Sequence, residues 1–158
     1  MSNQNMIGLD QEGVTNLTGM LNKLLADYQI LYMNVRGFHW NVRGENFFEL
    51  HMKFEETYND LLLKVDEIAE RILTLGERPM HSFSAYIERA SINEERDVVD
   101  GKQGLHHLLA SYQQLIAEQR KILALAGDID DEGTAALMSD YIKEQEKTCW
   151  MLAAYLNK

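Results

Sequence analysis

The chain has 158 residues, 25 of them acidic and 15 basic, for a formal net charge of -10. That length suits one domain spanning 1–158 with a core of its own, and the charge disfavours wholesale electrostatic binding of nucleic acid. No stretch approaches 18 consecutive apolar residues, which excludes a helical membrane span. Leu, Met, Glu, Ala and Lys are abundant and proline occurs once, at Pro79, a bias toward helix over strand. The single cysteine, Cys149, cannot form an internal disulfide and fits a reduced, cytoplasmic protein with a buried thiol. Residues 1–8 lack both the basic patch and the apolar run of a signal peptide and read as a flexible tail.

A first helix is expected from Asp10 to His39. Val14, Leu17, Leu21, Leu24, Leu25, Tyr28, Leu31, Tyr32, Val35 and Phe38 recur at three- and four-residue steps and give it one broad apolar face. About thirty residues is long for a globular helix and points to a bundle. Gly44 breaks the pattern, and Asn46 followed by Glu49 reads as an N-cap with its capping-box partner. The second helix then runs through Leu50, Phe54, Leu61, Ile68 and Ile72 to a stop at Gly76, with Pro79 shortly after. Ser82 to Arg89 can form a short helix inside the next connection, which is long enough to cross the bundle. Ser91 and Glu94 suggest the start of the third long helix, whose stripe takes in Val98, Val99, Leu105, Leu108, Tyr112, Leu115 and Ile122 before Gly127 ends it. Asp130, Asp131 and Glu132 put acid on the first turn of the fourth, favourable for the helix dipole. The expected fold is all-α: four long helices in a bundle, with one short helix between the second and third.

Five potential metal ligands lie around the first turn and along the second helix: His39, His51, Glu55, Asp66 and Glu70. His51 and Glu55 share a helix face, as do Asp66 and Glu70, each pair being four residues apart. Glu55 and Asp66 are eleven residues apart, close to three turns, so both pairs fall on roughly one face but about 16 Å apart along the axis. Ligands to one metal must stand within roughly 2–2.5 Å of it, so a single straight helix cannot close this site. His39 and His51 flank the turn, which can bring them together.

Imidazole with carboxylates suits iron or manganese. Di-iron bundles commonly take a Glu-x-x-His pair from each of two helices. That pair is missing here, since His106 and His107 have no glutamate three residues earlier and the fourth helix has no histidine. The other route is symmetry. Two copies of the second helix, antiparallel about a two-fold axis, would set His39, His51 and Glu55 of one chain against Asp66 and Glu70 of the other, twice per dimer. Against this stands the plain reading of each residue alone: a capping histidine, and surface acids that are solvated or paired with Lys53 or Arg71.

The run His39-Trp40-Asn41-Val42-Arg43-Gly44, followed by Leu50-His51 and Glu55, resembles the first signature of the Dps proteins (DNA-binding proteins from starved cells). Val65-Asp66-Glu67-Ile68-Ala69-Glu70-Arg71, then Gly76 and Pro79, resembles the second, and Cys149-Trp150-Met151-Leu152 is similar to that family's last helix. The resemblance implies a ferritin-like four-helix bundle assembled as a hollow homododecamer. It implies inter-subunit ferroxidase sites whose ligands match His39, His51, Glu55, Asp66 and Glu70. There ferrous iron would be oxidised with hydrogen peroxide, ferric mineral stored inside, and DNA spared from hydroxyl radical. Many members have Asp where this chain has Glu55, so Glu55 is expected at a weaker second iron position or one reached through water. Trp40 and Tyr58 stand where a stray oxidising equivalent could land, and packing at the interface is the other role open to Trp40.

The resemblance also implies acidic entry pores on a three-fold axis near the start of the last helix. Asp128, Asp130, Asp131, Glu132 and Asp140 are the candidates, although a capped helix start would account for Asp130 and Asp131 without a pore. DNA binding is expected to be weak or absent. Residues 1–22 contain no Lys or Arg, and only Lys158 follows Trp150, whereas phosphate contacts need clustered cations. The alternative function is a nucleoid-associated structural protein with a vestigial iron site.

Overall fold

The structure, a computed structural model, describes residues 3–158. Among the described residues five helices follow one another: α1 (Gln11–Asn41), α2 (Phe47–Thr74), α3 (Phe83–Arg89), α4 (Gly101–Asp128) and α5 (Glu132–Tyr155). The four long ones form the bundle and the seven-residue α3 sits in the connection between the second and third of them, as the apolar spacing predicts. Helix α1 packs against α2, α4 and α3, and α4 packs against α5. Leu17, Leu21, Leu24 and Tyr28 of α1, Phe54, Leu61 and Ile68 of α2, Leu108 and Leu115 of α4 and Met138 of α5 are fully buried along the shared axis. At about 1.5–3 kcal/mol for each fully buried aliphatic or aromatic side chain, these contacts dominate the favourable side of folding.

Three polar side chains in this interior satisfy one another. Tyr28 Oη donates to Gln119 Oε1 (2.6 Å), Gln119 Nε2 donates to Gln145 Oε1 (2.8 Å), and Gln145 Nε2 donates back to Tyr28 Oη (2.6 Å). This closed triangle of neutral side chains joins α1, α4 and α5. It leaves the middle of the bundle without a bare polar atom at those three residues.

Three boundaries differ from expectation. The third long helix starts at Gly101, with Asp100 as the N-cap accepting from the Gln103 amide (2.9 Å), and not at Ser91. The amides of Ser91 and Ile92 instead donate to Asp27 Oδ1 (2.6 and 2.8 Å), and the Glu95 amide donates to Asn34 Oδ1. These long-range partners hold the segment extended along α1, so Val99 is exposed and only Val98 is buried. Second, Asn46 precedes α2 in the left-handed region (φ 59°) without a capping hydrogen bond, and its side chain donates to Tyr155 Oη (2.9 Å). Third, Gly127 lies inside α4, which runs on to Asp128. The N-terminal segment, expected as a loose tail over residues 1–8, is hydrogen-bonded from Asn3 onward. The Gln11 amide donates to Asn3 O, and Asn5 Nδ2 reaches Leu75 O at the end of α2 (3.1 Å). Residues 1 and 2 lie outside the described residues.

Between α1 and α4, Lys23 Nζ bridges Asp27 Oδ2 (2.9 Å) and the Glu118 carboxylate. Burial pushes Glu118 up to about 7, with Asp27 adding to the rise and Lys23 opposing it. An acid raised in the fold is held there in its neutral form, so between about pH 4.5 and 7 the folded chain binds the extra proton and stability falls as pH rises. Glu118→Gln is therefore expected to raise the melting temperature at pH 8, and the gain should shrink toward pH 5. Calorimetric scans at the two pH values check this.

Candidate metal centre

The end of α1 and the start of α2 are fastened together by two histidines. His39 lies in the last turn of α1 and His51 in the second turn of α2, across a turn made possible by Gly44 (φ 93°) and Asn46 (φ 59°). His39 Nδ1 lies 2.7 Å from His51 O, and His51 Nδ1 lies 2.8 Å from His39 O. Carbonyl oxygens only accept, so both Nδ1 atoms carry a proton, and the Nε2 atoms are the ones left to meet a ligand, with a lone pair in the neutral ring. His39 O is an orphan carbonyl at a helix end, because the Arg43 amide that would have reached it donates to Val99 O instead. The rings stack with centroids 3.9 Å apart and planes 14° apart. Phe47 covers the outer face of the pair at His51 (5.1 Å), and Tyr58 meets His39 edge-on (5.3 Å). Two imidazoles with fixed tautomer and fixed orientation are what a metal site needs from its histidines.

The three carboxylates lie further along α2. Glu55, Asp66 and Glu70 are all exposed, and none makes a hydrogen bond or ion pair through its side chain among the described residues. The bases that might have neutralised them are engaged elsewhere: Lys53 with Glu56 (3.7 Å), and Arg71 with Asp131 (2.6 Å). Exposed apolar side chains accompany the acids, namely Phe48, Met52, Leu62, Leu63 and Leu73. Among the described residues no group of three or more His, Cys, Asp or Glu is close enough to hold a metal ion within one chain. The structure thus joins His39 to His51 and leaves Asp66 and Glu70 apart from them along the helix.

The ferritin-like domain family matches residues 18–158. The chain is 44% identical over 151 residues to a DNA protection during starvation protein of Porphyromonas gingivalis, covering 96% of this chain and 95% of that one. A Bacillus anthracis protein of the same kind is 38% identical over 139 residues, covering 88% and 95%. The crystal structure of the Dps protein from Vibrio cholerae O1 superposes with a TM-score of 0.96 at 57% identity, covering 99% of this chain and 98% of that one. The chain belongs to the Dps family.

Within this Dps chain, Trp40 is 58% exposed beside the histidine pair, with the Arg36 guanidinium 4.7 Å from its ring centroid. The same guanidinium lies 5.5 Å from Tyr32 and 5.3 Å from Tyr58; the four-residue steps from Tyr32 to Arg36 to Trp40 announce the contacts within α1, and only Tyr58, on α2, has no such spacing. Of the candidate entry residues, Asp128, Asp130, Glu132 and Asp140 are exposed. Asp131 is not available in the same way, being 2% exposed. It caps α5 by accepting from the Thr134 amide (3.0 Å), and it accepts from Arg71 Nη2 (2.6 Å). The capping role, which helix-start chemistry alone predicts, is the one the structure gives Asp131. Arg71 also donates through Nε to Thr134 Oγ1 (2.9 Å), and Gly133 admits the guanidinium, since a Cβ there would lie 2.7 Å from Nη2. Asp131→Ala should cost about 2–4 kcal/mol, because it removes a cap and strands a half-buried guanidinium. Denaturant unfolding of the variant measures that loss.

Proposed function

We propose that this chain is an iron-oxidising and iron-storing mini-ferritin whose oxidation site is completed only between two subunits. Ferrous iron and hydrogen peroxide are its substrates. One observation carries the reading: a locked imidazole pair joins the end of α1 to the start of α2, three carboxylates without partners among the described residues follow along α2, and neither set suffices alone. The arrangement along α2 is self-complementary. His51 with Glu70, Glu55 with Asp66, Phe48 with Leu73 and Asn59 with Leu62 all share one midpoint, between Asp60 and Leu61. A second copy laid antiparallel across that midpoint puts imidazole and Glu55 opposite the partner's acids, and buries apolar residues at both ends. His39 and His51 then supply neutral nitrogen, and Asp66 and Glu70 of the partner subunit supply charge that attracts ferrous ions. Glu55 contributes at the weaker position. Peroxide takes two electrons, one from each of two ferrous ions, and with two protons yields two waters and two ferric ions. No hydroxyl radical is released when both electrons arrive together.

The assembly that goes with this reading is a homododecamer in which two-fold contacts carry the sites and the hollow interior takes the ferric product. Asp128, Asp130, Glu132 and Asp140 would draw cations toward it near the start of α5. Trp40, exposed and close to the histidines, would take up a stray oxidising equivalent or pack at the interface. Among the described residues no helix is long and apolar enough to cross a membrane. The cytoplasm is the compartment that goes with this reading. Anaerobic loading with ferrous iron followed by peroxide tests the reading. The expected result is rapid ferric absorbance at two ferrous ions per peroxide, and slow oxidation at a protein-independent rate would contradict it. DNA should be bound weakly or not at all near neutral pH, since a dodecamer multiplies the net charge of -10 twelve-fold. A gel shift in chelator at moderate salt should leave DNA at its free position.

A further inference from the structure

A cleft of about 370 Å³ opens between α1, α4 and the end of α3, away from the histidine pair. Its charged lining is Lys23, Arg89, Glu118 and Lys121, three cations to one carboxylate in a chain where acids outnumber bases 25 to 15. The floor is built. Buried Asp27 is fixed by the Ser91 and Ile92 amides through Oδ1 and holds Lys23 Nζ through Oδ2, while Glu118 takes a second Nζ hydrogen. An ammonium has three hydrogens, so one remains for a ligand. Arg89 and Lys121 are exposed and make no ion pair among the described residues, despite the acidic surface around them. The titratable and charged groups facing Glu118 are Lys23 and Asp27 of α1, Arg89 at the end of α3 and Lys121 on its own helix.

We propose that this cleft binds a phosphate group, offered as inorganic phosphate or as the monoester of a small molecule, with Lys23 at the floor and Arg89 and Lys121 on the walls. A tetrahedral oxyanion matches this set: the guanidinium can donate two parallel hydrogen bonds, and the two ammonium groups add point charge. Glu118 opposes the ligand only in part. Burial keeps it partly protonated near neutral pH, and it can rotate into a donor once neutral.

The test is isothermal titration of the assembled protein, stripped of iron by chelation because ferric ions themselves bind phosphate. Orthophosphate and adenosine monophosphate are titrated separately at fixed ionic strength. Saturable binding at one site per subunit is expected for at least one of them, and tighter binding of the monophosphate would identify an ester as the better occupant. Arg89→Gln with Lys121→Gln should weaken binding by about tenfold or more, and Glu118→Gln should tighten it. A control pair, Lys102→Gln with Lys143→Gln, removes the same charge elsewhere and should leave affinity unchanged. No saturable binding of either ligand to about 10 mM, or equal weakening by the control pair, overturns the proposal.

Discussion

Alanine at both His39 and Asp66 is expected to abolish the fast phase of ferrous oxidation, a loss of at least about a hundredfold, while the assembly keeps its size. Loss of a partner that merely orients a metal ligand already costs about 10–100-fold, and here two proposed donors are themselves removed. The fold should tolerate the change. His39→Ala forfeits a hydrogen bond worth about 1 kcal/mol net and one ring stack, while the core of α1 is untouched. Asp66 is exposed and has no intrachain partner to strand. Stopped-flow absorbance after peroxide addition, paired with size-exclusion chromatography, separates lost chemistry from lost structure. A double variant that still oxidises iron at the parent rate would remove both residues from the site.

Leu62→Arg should be nearly as damaging without touching any donor. Leu62 is 47% exposed in the single chain and sits next to the proposed two-fold midpoint, with Leu63 beside it at 65%. Each fully buried leucine contributes about 1.5–3 kcal/mol, and a two-fold axis counts it twice. Arginine at this position brings two guanidinium groups together at the centre of the contact, adding repulsion and desolvation to the lost burial. Light scattering should show smaller species, and fast iron oxidation should disappear although His39, His51, Glu55, Asp66 and Glu70 all remain. Full assembly together with full activity in this variant would mean that α2 does not form the contact.

The long helices were legible because their apolar residues repeat at helical spacing without interruption, and the stops at Gly44 and Gly76 are glycines at positive φ. The start of α4 was not. Gly101 and Gly104 are poor helix formers, so composition does not mark Gly101 as a start, and Val98 and Val99 before it read as part of the same apolar stripe. The glycines are there for packing: a Cβ on Gly101 would lie 2.2 Å from Leu50 Cδ1, and one on Gly104 3.0 Å from Phe54 Cζ. Ser91 carries the local mark of a cap, but Asp27, 64 residues earlier, claims its amide. At the candidate metal centre, the four-residue steps on α2 announce the carboxylates. The exchange of hydrogen bonds between His39 and His51 has no such signature, since its acceptors are backbone carbonyls. Buried Lys64, held by Asp60 (2.7 Å) and Glu144 (3.0 Å), was likewise hidden, because its partner on α5 is 80 residues away.

The division of donors between subunits is tested most directly by mixing. His39→Ala and Asp66→Ala proteins, each expected to be inactive, are dissociated, combined in equal amounts and reassembled. In a mixed pair one site carries both lesions and the other carries none, and random pairing makes half the pairs mixed, so about a quarter of the sites should regain fast oxidation. A mixture as inactive as its parents, despite exchange of subunits verified by mass, would contradict a shared site.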